Sequence, residues 1–168
     1  MSFFTIIQLI YFMLPAYLAN IAAEQAGKIF FKRWNAPIDG KLFGSHKKYR
    51  GVFFAIVAAL IAAFVQSRIK SGLNLYDYSN WSLFGFLMGS GAMAGDIAKS
   101  FFKRRMGIKP GKPWIFDSID FVIGALAFAS FAYFPGWQYA ISIVFISFPL
   151  SVGVNYLGYK LGLKEVKW

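Results

Sequence analysis

The sequence predicts an all-α, polytopic integral membrane protein of five transmembrane helices, with the amino terminus outside and the carboxyl terminus in the cytoplasm. Three observations lead there. Charged side chains are absent from residues 1–23, 51–67, 78–95 and 121–159, and a hydrocarbon core of roughly 30 Å is crossed by about 20 helical residues. The last of these runs has room for two crossings and is divided at FPGWQ (134–138), where Pro135-Gly136 is a turn dipeptide. The bases are also distributed on one side. Of 18 Lys and Arg, seven follow the first run (Lys28, Lys32, Arg33, Lys41, Lys47, Lys48, Arg50), six follow the third and three lie in the tail; only Arg68 and Lys70 fall on the opposite face. Cytoplasmic loops carry the excess of Lys and Arg, which fixes the orientation.

Span one covers about 3–23, with Pro15 predicting a kink. It lacks the basic region of a signal peptide and reads as a retained span. A basic loop rich in Gly, Pro and Asn follows; its first part can continue helically past the membrane face until APIDG (36–40) ends it. Span two is about 51–67, and the short external loop after it leaves Asp77 solvated. Span three starts near Trp81. Its pairs Gly85/Gly89 and Gly91/Gly95 have the four-residue spacing that lets helices approach closely, and bare backbone near Gly95 would also admit a ligand.

Spans three and four raise a length problem. The uncharged stretch 121–134 is fourteen residues, only about 21 Å of helix against a core of roughly 30 Å. Span four is therefore expected to start near Trp114 and to include Asp117 and Asp120 in its first turns. Span three likewise continues through Asp96. The whole chain, 1–168, reads as a single transmembrane catalytic unit with cytoplasmic loops at about 24–50 and 97–116.

Composition excludes several chemistries. No cysteine is present, so disulfides, thiolate zinc sites and cysteine nucleophiles are out; the lone His46 cannot by itself build a metal centre. The formal charge of +11 would suggest nucleic acid in a soluble protein, but the one-sided placement of the bases accounts for it here.

What remains is GDIAKSFFKRRMGIKPGKPWIFDSID (95–120). An aspartate within the bilayer costs about 2.5–3.5 kcal/mol even on the lenient insertion scale. Asp117 and Asp120, three apart, share a helix face, and a short loop returns that face to Asp96. Three carboxylates there need a cation among them. Mg²⁺, a hard ion held by carboxylates together with substrate phosphates, is the expected cofactor, with room for a second cation. From Asp96, residues Lys99, Ser100 and Lys103 fall at offsets of three, four and seven on one helix face, with Arg104 adjoining. Acid, hydroxyl and cations in line suit a metal and a polyphosphate together. Taken singly, Asp117 also fits a helix N-cap, Asp120 the macrodipole, and Arg105 a lipid-facing snorkelling cation.

These residues resemble the carboxyl-terminal motif of the CTP-dependent phosphatidate cytidylyltransferases, and more closely that of their archaeal branch, the CDP-archaeol synthases. The matches are Gly95-Asp96, Ser100, Lys103-Arg104, Lys109 and the closing Asp117-Ser118-Ile119-Asp120. PIDG (37–40) and FGSHKKYRG (43–51) are similar to that family's first cytoplasmic loop, although Ser45, His46 and Lys48 depart from its Asp, Gly and Thr. The histidine- and glycine-rich stretch of the bacterial relatives is replaced by KPGKPWIF (109–116).

The resemblance implies transfer of CMP from CTP to a lipid phosphate with release of pyrophosphate; in the archaeal branch the acceptor is a digeranylgeranyl-glycerol phosphate. It gives Asp96, Asp117 and Asp120 to the metal, Ser100 to orientation, and Lys99, Lys103, Arg104 and Lys109 to phosphates. Asp39, Lys47 and Arg50 are further candidates for nucleotide or headgroup contact. The expected partners are CTP, an isoprenoid glycerol phosphate lipid and the bilayer, with the active site facing the cytoplasm and no nucleic acid. Alternatives are the same reaction on ester phosphatidate, a CDP-alcohol phosphotransferase, disfavoured by the Asp spacing, and a small cation transporter. A transporter predicts polar residues lining several spans, whereas these spans are mostly apolar.

Overall fold

The computed structural model describes residues 1–29, 35–44, 47–69, 71–108, 112 and 114–163. These described residues form five α-helices in order: α1 (Phe3–Ile29), α2 (Tyr49–Arg68), α3 (Trp81–Arg105), α4 (Asp120–Ala129) and α5 (Trp137–Lys160), with a 3-10 turn at Ile115–Ser118 before α4. Among the described residues the only β-type pairing is one isolated bridge, Pro37 opposite Lys48. Among the described residues three segments are long and apolar enough to cross a membrane: Phe3–Ala26, Tyr49–Arg68 and Trp137–Lys160. Their outer faces suit lipid contact. On α5, Ile141, Phe145, Phe148 and Val152 are all exposed.

α1 runs unbroken through Pro15 and continues well past residue 23. α3, with 25 residues and so about 37 Å of rise, carries Asp96 and the bases that follow it inside one helix, as the length argument required. It stops in a Schellman motif: Gly107 has φ +69°, Ile108 N donates to Lys103 O (3.0 Å) and Gly107 N to Arg104 O (3.1 Å).

The fourth segment departs from expectation. What begins next to Trp114 is the 3-10 turn, not an α-helix. The Asp117 carboxylate accepts from Trp114 N (2.7 Å) while Asp117 N donates to Trp114 O (2.9 Å), which tightens the chain into the 3-10 turn and delays α4 to Asp120. α4 has ten residues, or about 15 Å. Hydrogen-bonded turns then carry the chain to Tyr133, through Tyr133 N to Ala129 O (2.8 Å). The Tyr133 ring meets Phe12 at 6.0 Å and Tyr76 at 5.6 Å between centroids.

α3 is the central helix, and its two glycine pairs serve different neighbours. A Cβ on Gly85 would lie 3.0 Å from Ala59 O and Leu60 Cα, and one on Gly89 2.9 Å from Ala59 Cβ, all on α2. On another face of the helix, Gly91 and Gly95 meet α4: a Cβ on Gly95 would fall on Asp120 O, and one on Gly124 would fall on Gly91 O. Without a hydrophobic drive between helices in lipid, such backbone-close packing is what holds spans together. Around these seams lie the buried Leu9, Phe12 and Met13 of α1, Phe84 and Met88 of α3, and Val122 of α4. Polar ties join further pairs of helices: Tyr17 Oη to Ser147 Oγ (2.6 Å) and Gln66 Nε2 to Tyr11 O (2.6 Å). The Gly95–Asp120 contact thus places the first residue of α4 beside Asp96.

Candidate active site

The acids converge. Lys99 Nζ lies 3.1 Å from Asp96 Oδ1, 3.4 Å from Asp117 Oδ1 and 2.9 Å from Asp120 Oδ2. Asp96 reaches Lys99 by the i,i+3 relation on α3, whereas Asp117 comes from the 3-10 turn and Asp120 from the first turn of α4. Two more lysines close the cluster. Lys47 donates from the first loop to Asp96 Oδ2, and Lys103 donates to both Asp117 oxygens (3.0 and 2.9 Å) and to Lys112 O (2.8 Å). Three carboxylates against three ammonium groups cancel in charge, which makes the cluster tolerable at 6–24% side-chain exposure. Lys47, Lys99 and Lys103 are the charge partners of the acids within the chain.

Local structure explains each placement. The first loop folds back through its bridge, Ile38 N donating to Lys47 O (2.8 Å) and Tyr49 N to Ala36 O (3.4 Å). The Phe43 ring rests on Phe101 of α3 at 6.4 Å. Both contacts hold Lys47 against α3. Asp39 is absorbed by its own turn, where Oδ1 accepts from Lys41 N (2.8 Å) and Leu42 N (2.9 Å), an Asx-turn. Ser100 is buried and its hydroxyl donates back to Asp96 O (2.9 Å), the i−4 back-bond common for a helical serine. Arg50 is buried at the start of α2. Arg104, beside the stripe, has a buried Nε without a hydrogen-bond partner. Lys109, Ser45 and His46 fall outside the described residues.

Asp117 is not the N-cap of either helix; it lies inside the 3-10 turn, closes that turn through Trp114 N and pairs with Lys99 and Lys103. Asp120 is different. Its Oδ2 is buried and, although 2.9 Å from Lys99 Nζ, lies out of line for a hydrogen bond. This oxygen has charge neutralisation and a spare lone pair. Among the described residues no three acidic side chains form a ready metal cage. The fit to Mg²⁺ lies in the donor chemistry: hard carboxylate oxygens around one shared cationic position, one of them without a hydrogen bond.

A family model for the CarS-like proteins, CDP-archaeol synthase, matches residues 3–168. The chain belongs to the CDP-archaeol synthase family. Similar proteins include the CDP-archaeol synthases of Methanosarcina barkeri (33% identical over 93% of this chain and all of the relative), Methanocaldococcus jannaschii (35%, 95% of each) and Methanospirillum hungatei (36%, 93% of this chain and all of the relative). A solved structure described as an intramembrane enzyme for archaeal membrane lipids biosynthesis superposes with a TM-score of 0.72 at 27% identity, covering 87% of this chain and 91% of that one. Membership makes the chain an enzyme, a CTP-dependent cytidylyltransferase of archaeal membrane lipid synthesis.

For a CDP-archaeol synthase, the residues singled out by pattern are largely those the fold assembles. Asp96, Lys99, Lys103, Asp117 and Asp120 form the cluster, and Lys47 joins it. The position of Lys99 was not legible: helical spacing puts it on the face of Asp96, but its place among all three acids depends on α4 docking at Gly95. Lys112 enters through its carbonyl, a contribution no side-chain pattern reveals.

Proposed function

We propose that the acid–lysine cluster is the reaction centre at which CMP passes from CTP to 2,3-di-O-geranylgeranyl-sn-glycero-1-phosphate, giving CDP-archaeol and pyrophosphate. The observation that carries this reading is the meeting of Asp96, Asp117 and Asp120 at Lys99 Nζ. A phosphate oxygen of the lipid attacks the α-phosphorus of CTP. The new P–O bond forms as the bond from the α-phosphorus to the α,β-bridging oxygen breaks, and pyrophosphate leaves with that electron pair. The substrate brings the nucleophile, so the chain's work is positioning and charge neutralisation.

Mg²⁺, where bound, would be held by Asp96, Asp117 and Asp120 and would supply neutralisation of the nucleotide phosphates. Lys99, Lys103, Arg104 and Lys109 take phosphate oxygens; for Lys99 and Lys103 this means exchanging carboxylate partners for phosphate ones. Ser100 orients Asp96 by fixing its backbone carbonyl. Lys47 holds Asp96 from the loop side.

The proposed arrangement has five crossings with the amino terminus outside, the fourth made by α4 together with the turns up to Tyr133. The ends of α1, α3 and α5 and the starts of α2 and α4 then share the cytoplasmic face, where the bases concentrate. The lipid phosphate reaches the cluster from the inner leaflet. Lys47→Met tests the loop's part in the site. It is expected to lower kcat/KM for CTP by about tenfold, on the scale of one charge-assisted hydrogen bond of 1.5–3 kcal/mol, while thermal unfolding in detergent stays close to wild type. An unchanged kcat/KM would remove Lys47 from the site.

A further inference from the structure

Tyr17 of α1 touches two other helices at once. Its hydroxyl shares a hydrogen bond of 2.6 Å with Ser147 Oγ of α5, and its ring meets that of Phe121 of α4 edge to face, with 6.0 Å between centroids. Ser147 and Phe121 are both buried. The buried residues of α5 are Ala140, Ile143 and Ser147, two of them small, so a polar tie at Ser147 weighs heavily in seating that helix. α1 is itself fixed close by. Pro15 has no N–H to give to Tyr11 O, four residues back, and Gln66 Nε2 of α2 donates there instead at 2.6 Å. Phe121 follows Asp120 at the start of α4, roughly 100° further round the helix. Asp120 meets Lys99 of α3 at 2.9 Å, while Phe121 meets Tyr17 of α1.

We infer that Tyr17 is a positioning residue for the reaction: through Phe121 it sets the rotation of the first turn of α4, and with it the place of the Asp120 carboxylate. The inference rests on the reading of the acid–lysine cluster as the reaction centre. α4 has ten residues, too few to be held straight by its own hydrogen bonds, and it is entered from a 3-10 turn rather than from a preceding α-helical turn. Its seam with α3 lies on one side, where Asp120 O rests against Gly95. Such a seam fixes the separation of two helices better than the roll of one about its own axis. Phe121 on Tyr17 supplies a second point of support, and a roll that swings Asp120 away from Lys99 lifts Phe121 off the ring. The hydroxyl has a separate task. Bonded to buried Ser147, the phenol keeps one tilt, so Ser147 holds Tyr17, Tyr17 holds Phe121, and Phe121 holds its neighbour Asp120.

The test uses the full-length protein in detergent and reads Mn²⁺ bound in the presence of CTP by electron paramagnetic resonance, together with kcat at saturating metal and lipid phosphate. A variant that merely unfolds in part lowers the number of Mn²⁺ sites and leaves their Kd unchanged; a displaced Asp120 raises the Kd of a full set of sites. Tyr17→Phe, which keeps the ring and loses the hydroxyl, should raise the Kd about threefold. Ser147→Ala should do the same, and the double variant should be no worse than either single one, since the two groups act as a unit. Tyr17→Leu, which removes the ring from Phe121, should raise the Kd at least tenfold and lower kcat by a similar factor. The control Phe145→Leu, on the exposed face of α5, should leave Kd and kcat unchanged. A wild-type Kd in Tyr17→Leu and Tyr17→Phe, with activity falling only in step with the number of sites, makes Tyr17 a packing residue and overturns the inference. Asp120→Asn separates the two levels. If it binds Mn²⁺ and turns over as the wild type does, the reaction-centre reading fails and this inference with it; if it is impaired while the Tyr17 variants are not, only this inference falls.

Discussion

Replacing Asp120 by asparagine is expected to abolish measurable CDP-lipid formation, a loss on the order of a hundredfold or more, while the protein still folds. The side chain keeps its shape, and Lys99 retains Asp96 and Asp117 at 3.1 and 3.4 Å. What disappears is a negative oxygen that is buried and lacks a hydrogen bond. Its structural partner is the Lys99 ammonium at 2.9 Å. With that charge gone, Lys99 faces two carboxylates instead of three. Product formation from CTP, Mg²⁺ and the lipid phosphate measures activity, and the unfolding midpoint in detergent measures folding. Wild-type turnover in Asp120→Asn would exclude this carboxylate from the metal and nucleotide site.

The second large effect is mechanical. Gly124→Ala adds one methyl where a Cβ would fall on Gly91 O and lie 2.8 Å from the backbone of Gly95. Backbone cannot give way as a flexible side chain can, so α4 must lift from α3. The expected cost is at the upper end of the roughly 1–3 kcal/mol typical of overpacking. Activity is expected to fall further than stability, because Asp120 sits one turn before Gly124 and moves with it away from Lys99. Gly153→Ala on α5, with nothing within 4 Å of the new methyl, is the matched control and should be neutral in both measurements. Equal behaviour of the two variants would contradict the idea that the α3–α4 seam sets the site.

Much of this was legible in the chain because lipid imposes simple rules. The charge-free runs mark α1, α2 and α5 directly. The shortfall of 78–95 forces α3 through Asp96, and offsets of three, four and seven place Lys99, Ser100 and Lys103 on its acidic face. Four-residue glycine spacing marks close packing but does not say that Gly85/Gly89 and Gly91/Gly95 serve different neighbours.

The fourth segment does start beside Trp114, but not as continuous α-helix, because the Asp117 side chain binds Trp114 N and folds the first turn into 3-10 geometry. The acids also carry a demand for positive charge that sequence alone assigns to Mg²⁺. The lysines that pair with the acids are assembled by tertiary contact, Lys47 reaching Asp96 from 49 positions away. Asp39 shows the opposite case: a conspicuous acid in a basic loop that is consumed by its own turn.

Isotope transfer from CTP tests the central claim most directly. With label on the α-phosphorus, wild-type protein should move the label into the lipid fraction, while label on the γ-phosphorus should leave as pyrophosphate. Asp96→Asn, Asp117→Asn and Asp120→Asn should each leave the lipid unlabelled. Lipid that stays unlabelled with wild-type protein, or that becomes labelled equally with all three variants, would contradict the account.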